Sequence, residues 1–139
     1  MSLENTTIVE ILDTFEFLDD WEDRYKYIID LGKKLPPLSA EEMSDTYKVR
    51  GCQSQVWLVP EVDGEGRIHL RGDSDAFIVK GLVAVVLLIF SGKTAAEIRG
   101  TNGRAILDQM GLASHLSPLR ANGLFSMVER IQAIAEDAA

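Results

Sequence analysis

Thiols are all but missing from this chain. Cys52 is its only cysteine, which excludes an internal disulfide framework and any metal site built from several thiolates. Positive charge is also in deficit, with 14 lysines and arginines against 22 aspartates and glutamates and a formal net charge of -8. A surface of that sign repels phosphate backbones and gives nucleic-acid binding no electrostatic footprint. It serves solubility, and it can steer the chain toward a basic patch on a partner. Long apolar runs are lacking too. The longest, Leu82 to Phe90, falls well short of the ~20 residues that a membrane-crossing helix needs. Met1 to Thr7 is polar and acidic, without the basic-then-apolar order of a signal peptide. The expectation is a cytoplasmic protein, where a lone thiol stays reduced, that binds neither membrane nor nucleic acid.

What is present reads as one soluble domain over residues 1–139, with 46% of the residues hydrophobic and 26% charged. No repeat or linker divides it. Thr7 and Glu10 stand in capping-box spacing, and Ile8, Ile11, Leu12 and Phe15 follow at helical intervals. Asp20 is a good N-cap for a second helix carrying Trp21, Tyr25, Ile28 and Ile29 on one side, ended by Gly32 and Pro36-Pro37. Ser39 and Glu42 repeat the capping spacing over a short turn.

From Thr46 the period becomes two. Strands are expected over Thr46–Arg50, from Ser54 to Val59, and from Arg67 to Arg71 beyond an Asp63-Gly64-Glu65-Gly66 hairpin turn. Pro60 marks an end or an outer edge. Asp73-Ser74-Asp75 offers caps for a helix from about Ala76 to Phe90, apolar nearly all round, whose one charge, Lys80, is expected to snorkel or meet a carboxylate. Gly92 ends it. Thr94 and Glu97 open a short helix, Arg104 to Met110 form another closed by Gly111, and Ser117-Pro118 start the last one. Its stripe is Leu124, Met127 or Val128, Ile131 and Ile134. Two helices, three strands and then more helices predict an α+β domain with a small three-stranded antiparallel sheet covered by helices on one face.

A lone cysteine is by default a small core hydrophobe. The flanks of Cys52 argue otherwise: Lys48, Arg50, Gly51, Gln53, Ser54 and Gln55 are too polar for a core position, and the strand pattern puts the thiol at a turn. Thiolate is the nucleophile, and nearby cations raise its fraction, so Lys48 and Arg50 are candidates for lowering the thiol pKa. His69, on the wet face of a strand, is expected to be inert, and His115 has no partner legible in the sequence. Trp21 and Trp57 are expected to pack rather than to recognise.

Gly51-Cys52-Gln53-Ser54-Gln55-Val56-Trp57 resembles the signature of the SufE family of sulfur acceptors, which includes the CsdE paralogue. Three more stretches fit in order. They are Trp21-Glu22-Asp23-Arg24-Tyr25 with Leu35-Pro36, then Gly72-Asp73-Ser74-Asp75-Ala76 with Ile78 to Leu82, then His115-Leu116-Ser117-Pro118 with Arg120 and Gly123-Leu124. The resemblance implies a SufE/IscU-like fold and no cofactor of the chain's own. It also implies that Cys52 takes persulfide sulfur from a pyridoxal-phosphate cysteine desulfurase (SufS-like or CsdA-like), stimulates that enzyme, and passes the sulfur to an iron–sulfur scaffold. The chain itself would then be an accessory protein rather than an enzyme. Gly51, Gln53 and Ser54 match the motif around the thiol, Arg120 matches a docking or loop-setting position, and a homodimer is implied as an option. Asp75 reads first as a helix cap and second as a support of the loop.

Three rival functions differ in testable ways. A cysteine hydrolase of papain type needs its cysteine at a helix start with distant His and Asn or Asp partners, whereas Cys52 leads into a strand. An iron–sulfur scaffold needs several thiolates, and one cysteine cannot supply them. An adaptor would bind a desulfurase without carrying sulfur.

Overall fold

A computed structural model of the chain describes residues 7–51 and 54–138. Helix α1 (Ile8–Phe17) starts where the Thr7 hydroxyl accepts the Glu10 N–H at 3.2 Å. Helix α2 (Trp21–Lys33) starts where Asp20 accepts the Glu22 N–H at 3.0 Å. Arg24 seals the joint between them, donating to the carbonyls of Leu18 at 2.8 Å and Phe15 at 2.7 Å, acceptors left over at the end of α1. After Lys33 the chain runs through turns, and the Ser39–Glu42 capping spacing forms a reciprocal pair at 3.2 and 3.1 Å without lengthening into a helix.

The sheet is β1 (Val56–Val62), β2 (Arg67–Ser74) and β3 (Lys93–Thr94), antiparallel in the order β1-β2-β3. The expected hairpin holds: Asp63 Oδ1 accepts the N–H groups of Glu65 at 2.9 Å and Arg67 at 3.0 Å, and Gly66 takes φ +80°. The His69 ring above all, and then those two N–H bonds, bring the Asp63 carboxyl down to about 2. Pro60 sits inside β1 opposite Leu70, on an edge strand, as its missing N–H requires.

Two strand expectations are corrected. Thr46–Arg50 contributes a single bridge, Lys48 to Trp57, with the Val49 N–H on the Val56 carbonyl at 2.8 Å and the Leu58 N–H on the Tyr47 carbonyl at 2.9 Å. A turn that bonds the Tyr47 N–H to the Ser44 carbonyl precedes the bridge, and Gly51 at φ +87° follows it, so no longer ladder has room. The third strand is instead Lys93–Thr94. Gly92 at φ +83° reverses the chain and gives its N–H to the Ile68 carbonyl at 2.8 Å, laying the next two residues beside β2.

Helix α3 (Phe77–Phe90) is buried along nearly its whole length, from Val79 to Phe90. Each large side chain so buried contributes roughly 1.5–3 kcal/mol, which makes α3 the centre of the core. It meets α2 backbone to backbone. A Cβ on Gly81 would lie 2.2 Å from the Ile28 carbonyl oxygen, and one on Gly32 would lie 2.6 Å from the Gly81 nitrogen. Lys80 meets Asp73 at 3.3 Å. Val56, Leu58, Ile68 and Leu70 face this core, while Trp57 and Val59 pack with Leu38 and Tyr47 on the other face of the sheet. Glu42 ties that second cover down by pairing with Arg71, and this pairing, with the Ser39 N–H, holds the Glu42 carboxyl at about 2.

Four helices complete the fold: α4 (Ala95–Arg99), α5 (Gly103–Met110), α6 (Leu112–His115) and α7 (Pro118–Ala138). Thr94 and Glu97 make the expected capping box for α4, and Gly111 at φ +72° ends α5. The architecture is α+β, a three-stranded antiparallel sheet with helices over one face. Among the described residues no helix is long and apolar enough to cross a membrane.

Candidate functional site

Cys52 and Gln53 lie outside the described residues, so the site is built from what flanks them. On the N-terminal side the bridge ends at Val49, and Arg50 is exposed. Gly51 follows in the left-handed region at φ +87°, a conformation side chains disfavour. It also lies against α7: a Cβ there would stand 2.6 Å from Ser126 Oγ. The positive φ is what calls for glycine immediately before the cysteine, since the Ser126 hydroxyl is a side-chain end that can turn aside.

On the C-terminal side, Gln55 and Asp75 hold each other. The Gln55 N–H donates to Asp75 Oδ1 at 3.0 Å, and the Asp75 N–H donates to the Gln55 carbonyl at 3.3 Å. Asp75 is not the cap of α3, which was its first reading. The residue flanking that helix is Ala76, whose N–H reaches Ser74 Oγ at 3.3 Å, and no side chain caps from the N-cap position itself. The carboxylate is turned to the loop because β2 and β1 end side by side, with Val56 opposite Ser74, so the residues flanking that pair meet each other.

Beneath this stretch runs a narrow crevice between α3 and α7. Ser54 and Arg120 line it together with Val79, Leu82, Leu124 and Met127, and its volume of about 10 Å³ is room for roughly one water. Arg120 is exposed, and its backbone N–H reaches the Ser117 hydroxyl at 3.3 Å. Two large apolar side chains stand in solvent on these two helices: Phe77, 76% exposed in the first turn of α3, and Leu119, 56% exposed beside Arg120.

The structure thus gathers Gly51, Ser54, Asp75 and Arg120 around one loop. It places His115 elsewhere, its ring stacked 3.8 Å from that of Trp21 and its carbonyl accepting the Tyr25 hydroxyl. His69 pairs with Asp63 at 2.8 Å by the hairpin turn. Sequence reasoning missed Ser126. It lies off the apolar stripe of the last helix, and nothing local marks it as the neighbour of Gly51. Leu124 and Met127 were legible as a core stripe, and they form that core's edge at the crevice. Among the described residues, no group of three or more His, Cys, Asp or Glu side chains is arranged to hold a metal ion.

The comparisons with known proteins agree with one another. The model of the SufE family, described as an Fe-S metabolism associated domain, matches residues 9–135. An uncharacterized SufE-like protein of Rhizobium meliloti (strain 1021) is 50% identical over 134 residues, covering 94% of this chain and 96% of its own. Another, from Rhizobium etli, is 52% identical over 126 residues, covering 88% and 85%. The solution structure of a hypothetical protein from Thermus thermophilus matches with a TM-score of 0.75 over 94% of both chains at 23% identity, a likeness of fold alone. A family model that runs almost from end to end, joined by relatives of this identity and coverage, shows that the chain belongs to the SufE family, whose domain is associated with Fe–S metabolism.

Proposed function

We propose that this chain is a sulfur acceptor: Cys52 takes sulfur from the persulfide of a pyridoxal-phosphate cysteine desulfurase and hands it to an iron–sulfur scaffold. The Cys52 thiolate attacks the outer sulfur of the partner's persulfide. A new S–S bond forms on Cys52, the S–S bond in the partner breaks, and the partner's cysteine leaves as thiolate. The sulfane sulfur changes hands without an outside oxidant or reductant. A scaffold thiolate then repeats the displacement on Cys52. Unloading the desulfurase frees its cysteine for another turnover, which is how the acceptor stimulates it.

The observation that carries this reading is the double tether of the loop. Its flanks are held by Gly51 against α7 and by the Gln55–Asp75 pair, beside a crevice with apolar walls. A sulfur carrier needs a thiol that is presented on a fixed support and a dry wall nearby, because an exposed persulfide loses its sulfur to small thiols. A structural core cysteine needs neither. The chain has no second thiol to attack the carried persulfide and close a disulfide.

The test is mass spectrometry of the chain after mixing with a cysteine desulfurase and free cysteine. The wild-type chain gains sulfur mapped to Cys52, and Cys52→Ser gains none and loses the stimulation. If Cys52→Ser still stimulates, the chain is an adaptor and the carrier reading is wrong.

A further inference from the structure

We propose that the groove between α1 and α5 is a docking surface for a basic segment of a partner protein, one whose cations flank an apolar side chain. The groove holds about 490 Å³, and Val9, Leu12, Phe15 and Met110 give it apolar walls. Asp13 and Glu16 line it from the exposed side of α1, and neither forms an ion pair among the described residues. The one cation in its lining, Arg24, is committed elsewhere. It donates to the carbonyls of Leu18 and Phe15 and lies over the Trp21 ring at 4.9 Å.

The fold does not call for this arrangement. Glu16 stands in the last turn of α1, where its charge opposes the helix dipole and no basic residue of that turn offsets it. Val9 is 61% exposed, and Phe17, two four-residue steps along the same side of the helix, is 83% exposed. Together they make an apolar strip about 12 Å long with carboxylates beside it, which suits a peptide segment better than a small cation.

From Glu10 to Asp23 the chain carries seven carboxylates, all exposed, and no lysine or arginine, so this corner alone holds a charge close to the net -8 of the chain. That field favours the approach of a positive partner. A lysine or arginine can lay its alkyl stem on Val9 and Leu12 while its head meets Asp13 or Glu16. A second groove of similar size, about 550 Å³ between β2 and the end of α3, is lined by His69, Arg71 and Lys93 and by no carboxylate, so it serves as a control within the molecule. The proposal depends neither on the carrier reading nor on Cys52.

The experiment is an NMR titration of the isotope-labelled full chain with a short capped peptide of alternating lysine and leucine, beside a second of alternating glutamate and leucine. The lysine peptide shifts the amides of Val9, Asp13, Glu16 and Met110 and leaves those of Leu70 and Leu87 unmoved, and the glutamate peptide shifts none of them. Asp13→Lys/Glu16→Lys weakens binding about tenfold or more, and Asp13→Asn/Glu16→Gln, which keeps the size, about threefold. Replacing the peptide's leucines with serine weakens it about tenfold, as loss of a buried leucine contact does. Equal binding of the two peptides, shifts shared with the second groove, or wild-type affinity in both carboxylate variants would each overturn the proposal. Should the charge-reversal variant fail to fold, the isosteric one decides alone.

Discussion

One oxygen of Asp75 stands where a further rung of the β1–β2 ladder would be. By accepting the Gln55 N–H it carries the pairing one residue past Val56, toward the Cys52 position. Asp75→Ala is expected to speed amide hydrogen exchange at Gln55 about fivefold, the loss of ~1 kcal/mol for one exposed hydrogen bond, while Asp75→Asn keeps an acceptor and most of the protection. Exchange read residue by residue by NMR checks it, and unchanged protection in Asp75→Ala would show that the carboxylate is idle. Legibility at this scale followed distance along the chain. Thr7, Asp20 and Thr94 bond to groups two or three residues away, so their capping roles could be read directly. Asp75 looked the same, yet its partner lies on another strand, and Ser126 had no local signal because its neighbour Gly51 is far away in sequence.

The helices were nearly all legible because amphipathic period and caps are properties of one segment. The strands were less so. Thr46–Arg50 alternates well, but a ladder's length depends on the chain before and after it, and the turn at Ser44–Tyr47 and Gly51 cut it to one bridge. Lys93–Thr94 has no strand pattern of its own and pairs only because Gly92 delivers it to β2. The crossing of α2 and α3 was equally invisible, since Gly32 reads as a helix end and nothing near Gly81 marks a close approach. Gly81→Ala drives a methyl into the Ile28 backbone, which cannot rotate aside as a side chain would. The expected cost is about 3 kcal/mol, seen as a lower urea midpoint with unchanged slope. Gly32→Ala disturbs the same contact, so the double substitution costs less than the sum.

Over the molecule as a whole, an acidic chain carries an exposed Arg50 just before the Cys52 stretch and an exposed Arg120 lining the crevice with Ser54, with Phe77 and Leu119 bare on α3 and α7. Apolar side chains this exposed contribute little to folding, and their placement fits a docking face for the partner that the proposed acceptor role requires. Phe77→Ser and Leu119→Ser are each expected to leave stability within about 0.5 kcal/mol of wild type. If the chain is the acceptor proposed above, each raises the concentration needed for half-maximal stimulation of the desulfurase about tenfold, as loss of an interface anchor does. An unchanged titration would move the docking face elsewhere.

The residues flanking Cys52 are moored to different bodies: Gly51 to the long terminal helix, Gln55 to the junction that opens the central one. The span between those moorings, Gly51 and Gln55, therefore crosses the seam between α7 and the β2–α3 junction. Both helices belong to one buried core, so a change in that span has to repack Leu82, Leu124 and Met127 where they meet along the crevice.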